Sequence, residues 1–475
     1  MSSIAKKSFK TFIWTFVGSI LGFLFQIIVA KYLGPDEYGR ANVLLGLNGT
    51  FLVFLNFGLT TLIVKEAAIT KESPEIILSK FADLYALLDL LTFPLVFYLL
   101  KRLLEKASMY NFINIIIVLL LIYLNQFSNL FSSYLIGTRK QSTNAFLRNF
   151  LSRILNLTIF FIIYFFIGNY LSILIVQIIS LFLIFLLFLL KLKITKINFK
   201  YFIHILREAW QFYLIGILYS LYNNISKYLQ KLFVSDKVVG FLSLGMSLSI
   251  IGVMLGQVLA NIMMPEFAES WYKKDFKKID YFFKKVSRYN AYIILPIVLF
   301  VVTNIEKILG FLSEDYKKGS LIVSILLISS FFNSFVGPNG TLLNMSNKQK
   351  YEVFNGIALI ATGWGLGLIL GPRFEWGIAL SIALSIIVVN ILKFIEVGVL
   401  YKIYPYSLKN FIYLLLFNIP VFFSFQFAKM IENMVLYILV NILILIFTII
   451  SIFYFSTENE DRKFLKNLIR KYLKH

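Results

Sequence analysis

Few residues in this chain could do chemistry. It has no cysteine and only two histidines, His204 and His475, which excludes disulfides, thiolate nucleophiles and a histidine-ligated metal site. No G-x-x-x-x-G-K-[ST] phosphate loop occurs, and no glycosidase-like carboxylate pair or serine triad is recognisable. The sequence therefore reads as a non-enzyme with no metal and no cofactor. The remaining candidates are polar groups set inside apolar runs. These are Arg153, Lys227 and Asp89, with the amides Gln26, Asn48, Asn223 and Gln257.

A charged side chain in such a run costs about 2.5–3.5 kcal/mol to insert into a bilayer, so it implies a partner or a ligand. Arg153 lies about 10 Å into its run at 1.5 Å per residue. A guanidinium fork suits bidentate contact with a diphosphate. Asp89 sits at a similar depth in another run, so an Asp89–Arg153 ion pair is the competing expectation, with snorkelling to the surface as a third. Lys227 either lines a cavity or snorkels with Lys231. The amides and hydroxyls form stripes on single helix faces, such as Asn149, Ser152, Arg153 and Asn156. Such stripes must face other helices or water, because unsatisfied polar groups facing lipid cost several kcal/mol.

The elements that hold these groups are membrane spans. Of 475 residues, 59% are hydrophobic and 15% charged, against about a quarter charged in a soluble domain. A span needs about 20 apolar residues, and the pattern predicts about fourteen. They fall near 11–30, 41–64, 81–100, 111–135, 146–167, 170–190, 210–230, 238–263, 289–305, 320–337, 353–370, 376–400, 411–428 and 433–455. The first, with no small-residue cleavage site after it, reads as a retained span and not as a signal peptide. The net charge of +22 sits in short loops, which favours a membrane surface over nucleic acid. Most lysine and arginine falls in the loops that share a side with both termini, placing both termini in the cytoplasm of a multi-pass cell-membrane protein.

Two basic stretches stand apart. Residues 191–209 read as a cytoplasmic connector. Residues 265–288 place Trp271, Tyr272, Phe276, Ile279, Phe283 and Val286 among lysines, the pattern of an amphipathic helix lying on anionic lipids. The tail beyond 456 has a similar pattern. A faint repeat links AKYLGPDEYGRA (30–41) with KLFVSDKVVGFL (231–242), and duplicated halves are common in secondary transporters.

The stretch FVGSILGFLFQIIVAKYLGPDEYGRANVLLGLNGTFLVFLNFGLTTLIVKEAA, with Leu33, Gly34, Tyr38 and Gly39 in an LG-x-x-x-YG turn, resembles the N-terminal signature of the polysaccharide-biosynthesis (Wzx-type) flippases. VVGFLSLGMSL, the MPEF of 264–267 and GPNGTLLNMSNKQK at 337–350 resemble the same family, part of the multidrug/oligosaccharidyl-lipid/polysaccharide exporter superfamily. The resemblance implies an all-α polytopic fold of two six-helix lobes plus two C-terminal helices. Mapped here, the lobes are residues 1–190 and 210–400 around the 191–209 connector, followed by two more spans over 401–456 and a basic tail over 457–475. It also implies alternating access and a polyprenyl-(di)phosphate-linked oligosaccharide cargo, with glycan-assembly enzymes and anionic lipids as partners. Arg153, Lys227, Asn223, Gln257, Gln26 and Asn48 are the expected substrate-facing residues. The first span, Phe12 to Ala30, lacks the arginines of the lipid II branch. The place where relatives carry an aspartate in span seven holds Ser226 and Lys227 instead. The alternatives are a multidrug-type exporter of amphipathic small molecules and a membrane-embedded polysaccharide polymerase. A polymerase needs a large extracytoplasmic loop, and the outside loop near 306–319 is short.

Overall fold

Apolar runs in lipid must satisfy their backbone internally, which selects helices and excludes open sheets. The computed structural model describes residues 3–69, 73–193, 202–210, 213, 217, 231–346 and 348–455, and these hold helices and no strand. Among the described residues, eleven helices can cross a membrane by length and hydropathy, or twelve when a pair bent by 42° at residues 336–338 counts as one span. Fourteen are expected from the sequence. Two of the expected spans, 11–30 and 41–64, largely share one apolar segment, Ile13–Phe54. Another, 210–230, lies mostly outside the described residues.

The chain divides into two compact units, Met1–Leu244 and Gly245–His475. In the first, α1 (Ser3–Phe54) is broken at Gly34, whose φ of 72° and ψ of 171° are non-helical and precede Pro35. Glycine is needed there because a Cβ disfavours positive φ. The break is a fold-back. Tyr38 Oη donates to Gln26 Oε1 at 2.6 Å, yet twelve residues of straight helix would hold those positions about 18 Å apart. Helices α2 (Leu59–Ile69), α3 (Pro74–Lys106), α4 (Phe112–Gly137), α5 (Gln141–Ile167) and α6 (Leu171–Leu189) follow. Helix α3 packs on α2 and α4, whereas α5 packs on α1 and α6. Phe81, Tyr85, Leu130 and Phe188 centre one core, joined by Phe202, Ile205 and Ala209 of the connector. Part of that basic connector is thus anchored by protein and not only by lipid.

Helix α7 (Asp236–Leu248) runs across the division at Leu244. The second unit continues with α8 (Ile250–Tyr272), α9 (Phe276–Thr303), α10 (Ser320–Phe335), α11 (Asn339–Met345), α12 (Gln349–Leu370) and α13 (Gly377–Tyr401). Helices α14 (Leu408–Ala428) and α15 (Met434–Phe455) pack on each other and on α9. Tyr292, Leu414 and Phe453 meet in that contact.

The expected amphipathic helix over 265–288 is not one element. It is the end of α8, a turn with Lys274 at φ 56°, and the start of α9, where Asp275 caps the helix by accepting from Lys278 N at 3.0 Å. Ile279, Phe283 and Val286 are buried, and Ile279 and Phe283 pack with Phe267 and Leu342. Their apolar face covers protein instead of lipid. Tyr272 and Phe276 remain exposed beside Lys273, Lys274 and Lys277.

Candidate functional site

The stripe on α5 carries a local irregularity. Residues Phe146–Leu151 form a π turn, and the Ser152 amide donates to Leu147 O five residues back. On a regular α-helix, residues five apart point about 140° from each other. A π turn absorbs one extra residue, so positions five apart align as positions four apart do elsewhere. Arg148 and Arg153 are five apart across this turn. Both are half-buried. Among the described residues, neither arginine has a carboxylate within ion-pairing distance. Two half-buried guanidinium groups set across one π turn, with no carboxylate in ion-pairing distance among the described residues, have the charge and the donors to suit an anion.

Helix α1 supplies the wall of this site. Trp14, Gly18 and Gly22 recur every four residues on one face. Trp14 meets Phe146 edge-on and Phe150 at a tilt, with ring centroids 5.1 and 4.7 Å away. A Cβ at Gly18 would stand 2.3 Å from the Asn149 carbonyl oxygen, and one at Gly22 would stand 3.2 Å from Arg153 Nε. Small residues four apart let membrane helices approach closely. Gly18→Val should therefore force α1 away from α5 and destabilise the protein by about 1–3 kcal/mol, as overpacked sites do. A fall in detergent melting temperature would register it, and an unchanged melt would refute the contact.

The expected Asp89–Arg153 pair does not form. Asp89 is buried on α3 and accepts from Gln126 Nε2 at 3.0 Å, and its other oxygen has no partner. Helix α3 faces α2 and α4 while Arg153 faces α1, so similar depth did not mean adjacency. Asp89→Asn should leave translocation near the native level. Combined with Arg153→Ala it should show a coupling below about 0.5 kcal/mol in a double-mutant cycle, as separated sites do. A larger coupling would revive the ion pair.

The remaining expected residues are dispersed. Gln26 is engaged by Tyr38 in the first unit. Asn48 is buried there, with Oδ1 unpartnered. Gln257 is exposed on α8, in the second unit, where it lines a cavity together with Asn290, Asn339 and Asn390. Asn223 and Lys227 lie outside the described residues. Among the described residues, no group of three His, Asp or Glu could hold a metal ion.

A second feature of the first unit involves the repeat. Gly39 and Gly240 occupy the same position in the segments 30–41 and 231–242. A Cβ at Gly39 would lie 1.9 Å from Asp236 O, and one at Gly240 would lie 2.0 Å from Pro35 O. Pro35 and Asp236 are themselves equivalent in the repeat, so the contact is reciprocal. Charges flank it: Arg40 reaches Asp236 and Glu37 at 3.2 Å each, and Lys231 reaches Asp236 at 2.7 Å. Glu37 also accepts from the Tyr170 amide at 2.8 Å, tying in α6.

The profile of the family described as "polysaccharide biosynthesis protein" matches residues 4–271, more than half of the chain. The chain belongs to that family. The match takes in the Gly34 break, the arginine pair and both glycine segments. Solved structures share the fold. The lipid II flippase MurJ in an inward closed conformation aligns with a TM-score of 0.74 at 15% identity, covering 94% of this chain and 98% of that one. A multidrug resistance MATE family transporter of the MOP superfamily, inward-facing, gives 0.62 at 12% identity, covering 81% and 94%. A MOP superfamily transporter from Pyrococcus furiosus gives 0.55 at 13% identity, covering 82% and 95%. A comparison with curated protein sequences finds no match. The protein is thus a multi-pass helical membrane protein with a transporter fold.

Proposed function

We propose that this protein flips a polyprenyl-(di)phosphate-linked oligosaccharide across the cell membrane by alternating access, serving cell-surface polysaccharide or glycan assembly. The observation that carries this reading is the placing of Arg148 and Arg153, two half-buried cations five apart across the π turn of α5, with no carboxylate in ion-pairing distance among the described residues. A lipid-linked sugar brings one or two phosphates, and arginine forks match phosphate geometry. Membership of the polysaccharide-biosynthesis family supports the same cargo, and the likeness to a lipid II flippase supports the same act. A cavity for cationic drugs would more naturally present acids, so the multidrug reading loses ground.

The topology within this proposal is fourteen spans, in two six-span lobes and a C-terminal pair. It is supported by the fold-back at Gly34, which divides α1 into two lengths, by the bent pair taken as one span, and by the apolar run at 210–230. Both termini lie in the cytoplasm, where Lys273, Lys274 and Lys277 meet anionic headgroups and glycan-assembly enzymes supply the cargo.

The test is reconstitution of the purified chain in vesicles with a polyprenyl-diphosphate oligosaccharide placed in one leaflet. Flippase activity predicts chain-dependent appearance of the glycan in the opposite leaflet, read by a membrane-impermeant glycosidase. Export of an amphipathic cation with no movement of the lipid-linked sugar would replace this reading with the multidrug one.

A further inference from the structure

The second unit contains a polar cavity of about 310 Å³ inside an otherwise apolar bundle. Its wall on α8 is made of Val253, Gly256, Gln257 and Ala260, with the two small residues one helical turn apart. Opposite stand three asparagines from three elements: Asn290 on α9, Asn339 at the start of α11 and Asn390 on α13. All three are more than nine-tenths buried. Buried amides normally find partners, yet here capacity is left over. Asn339 has neither amide atom hydrogen-bonded, and Asn290 leaves Oδ1 unpartnered while its Nδ2 donates to Ser334 O at 3.0 Å. Asn390 Nδ2 bridges to Asn333 Oδ1 at 2.9 Å on the same wall.

The charge at the rim is balanced. Lys393 lines the cavity, and its ammonium is paired with Glu352 across to α12 at 2.9 Å. The pocket therefore presents donors and acceptors in similar number and little net charge. An anion would use only the donors and a cation only the acceptors, but a hydroxyl both gives and takes a hydrogen bond. The volume equals about ten waters at the liquid share of about 30 Å³ each, far more than an ion needs.

We propose that this cavity is a carbohydrate subsite, which holds one uncharged sugar ring of the cargo through its hydroxyls by the carboxamides of Asn290, Asn339 and Asn390. It rests on the reading of a glycan-bearing cargo and adds the place in the chain where the glycan is held.

The chain's lack of cysteine makes a direct test available. In the full-length Ala260→Cys protein, the single thiol on the cavity wall is alkylated with N-ethylmaleimide in the presence of glucose, galactose, N-acetylglucosamine or their disaccharides, and separately of inorganic pyrophosphate. The proposal expects at least one neutral sugar to slow labelling and pyrophosphate to leave it unchanged. Adding Asn339→Ala should raise the sugar concentration needed by roughly fivefold, the worth of one hydrogen bond. Asn339 is chosen because its side chain holds nothing in the fold, so its loss leaves folding intact. Protection by no sugar, equal protection by pyrophosphate, or protection indifferent to Asn339→Ala each overturns the proposal. The same Ala260→Cys protein is assayed for movement of the lipid-linked oligosaccharide. Movement without sugar protection sinks the subsite and leaves the transport reading standing. Sugar protection without movement keeps the subsite and sinks the transport reading.

Discussion

Arg153→Ala is expected to lower translocation of a lipid-linked oligosaccharide by about ten- to a hundredfold while the protein still folds and inserts. A hydrogen bond to a charged group is worth about 1.5–3 kcal/mol, which sets that range. Folding should survive because Arg153 makes no ion pair, so its removal strands no buried carboxylate. Its Cδ and guanidinium lie beside Gly22, which has no side chain to lose as a partner. Arg153→Lys should recover only part of the activity, since a point charge replaces a planar fork. Arg148→Ala should act in the same direction. Under the proposed reading, in which one phosphate group engages both forks, the double variant should fall short of the product of the two effects. The measurement is initial rate in reconstituted vesicles, normalised to folded protein by size exclusion. Full activity in the Arg148→Ala/Arg153→Ala double variant would remove the arginine pair from the mechanism.

Gly39→Ala combined with Gly240→Ala is expected to prevent the reciprocal contact between the segments 30–41 and 231–242. Each new methyl would lie within 2.0 Å of a carbonyl oxygen, and neither Pro35 nor Asp236 can move that backbone atom as a flexible side chain could move its end. Overpacking of this kind costs about 1–3 kcal/mol, enough to shift a two-state contact by about tenfold or more. Amide exchange across residues 35–41 and 236–242 should therefore rise by that factor. Under the proposed flippase reading, translocation should fall as well. The ion pairs around Asp236 matter less. Arg40 is 45% exposed, and exposed pairs contribute about 0.2–1 kcal/mol. Arg40→Ala should give a much smaller change than either glycine variant. Native exchange and native transport in the double alanine protein would show that the close contact is incidental.

The sequence by itself determined that this is a helical multi-pass membrane protein, because hydropathy is a local property that adds along the chain. It also exposed Arg153, since a charge inside an apolar run is conspicuous wherever its neighbours lie. Gly39 and Gly240 were visible as matching positions of a weak repeat, although nothing in the letters said that they touch. Tertiary structure decided partner and phase. Asp89 and Arg153 share a depth but sit on helices with different neighbours, so Gln126 took the carboxylate. The apolar side of 276–286 could have met lipid or protein with equal hydrophobic gain, and a core centred on Phe267 and Phe283 was there to take it. Arg148 went unnoticed because five-residue spacing puts two side chains on different faces of a regular helix. A single π turn reversed that. The asparagine cavity stayed hidden for a similar reason. Its members come from α9, α11 and α13, far apart in the chain, and only packing of those helices against the small residues of α8 brings them to one wall.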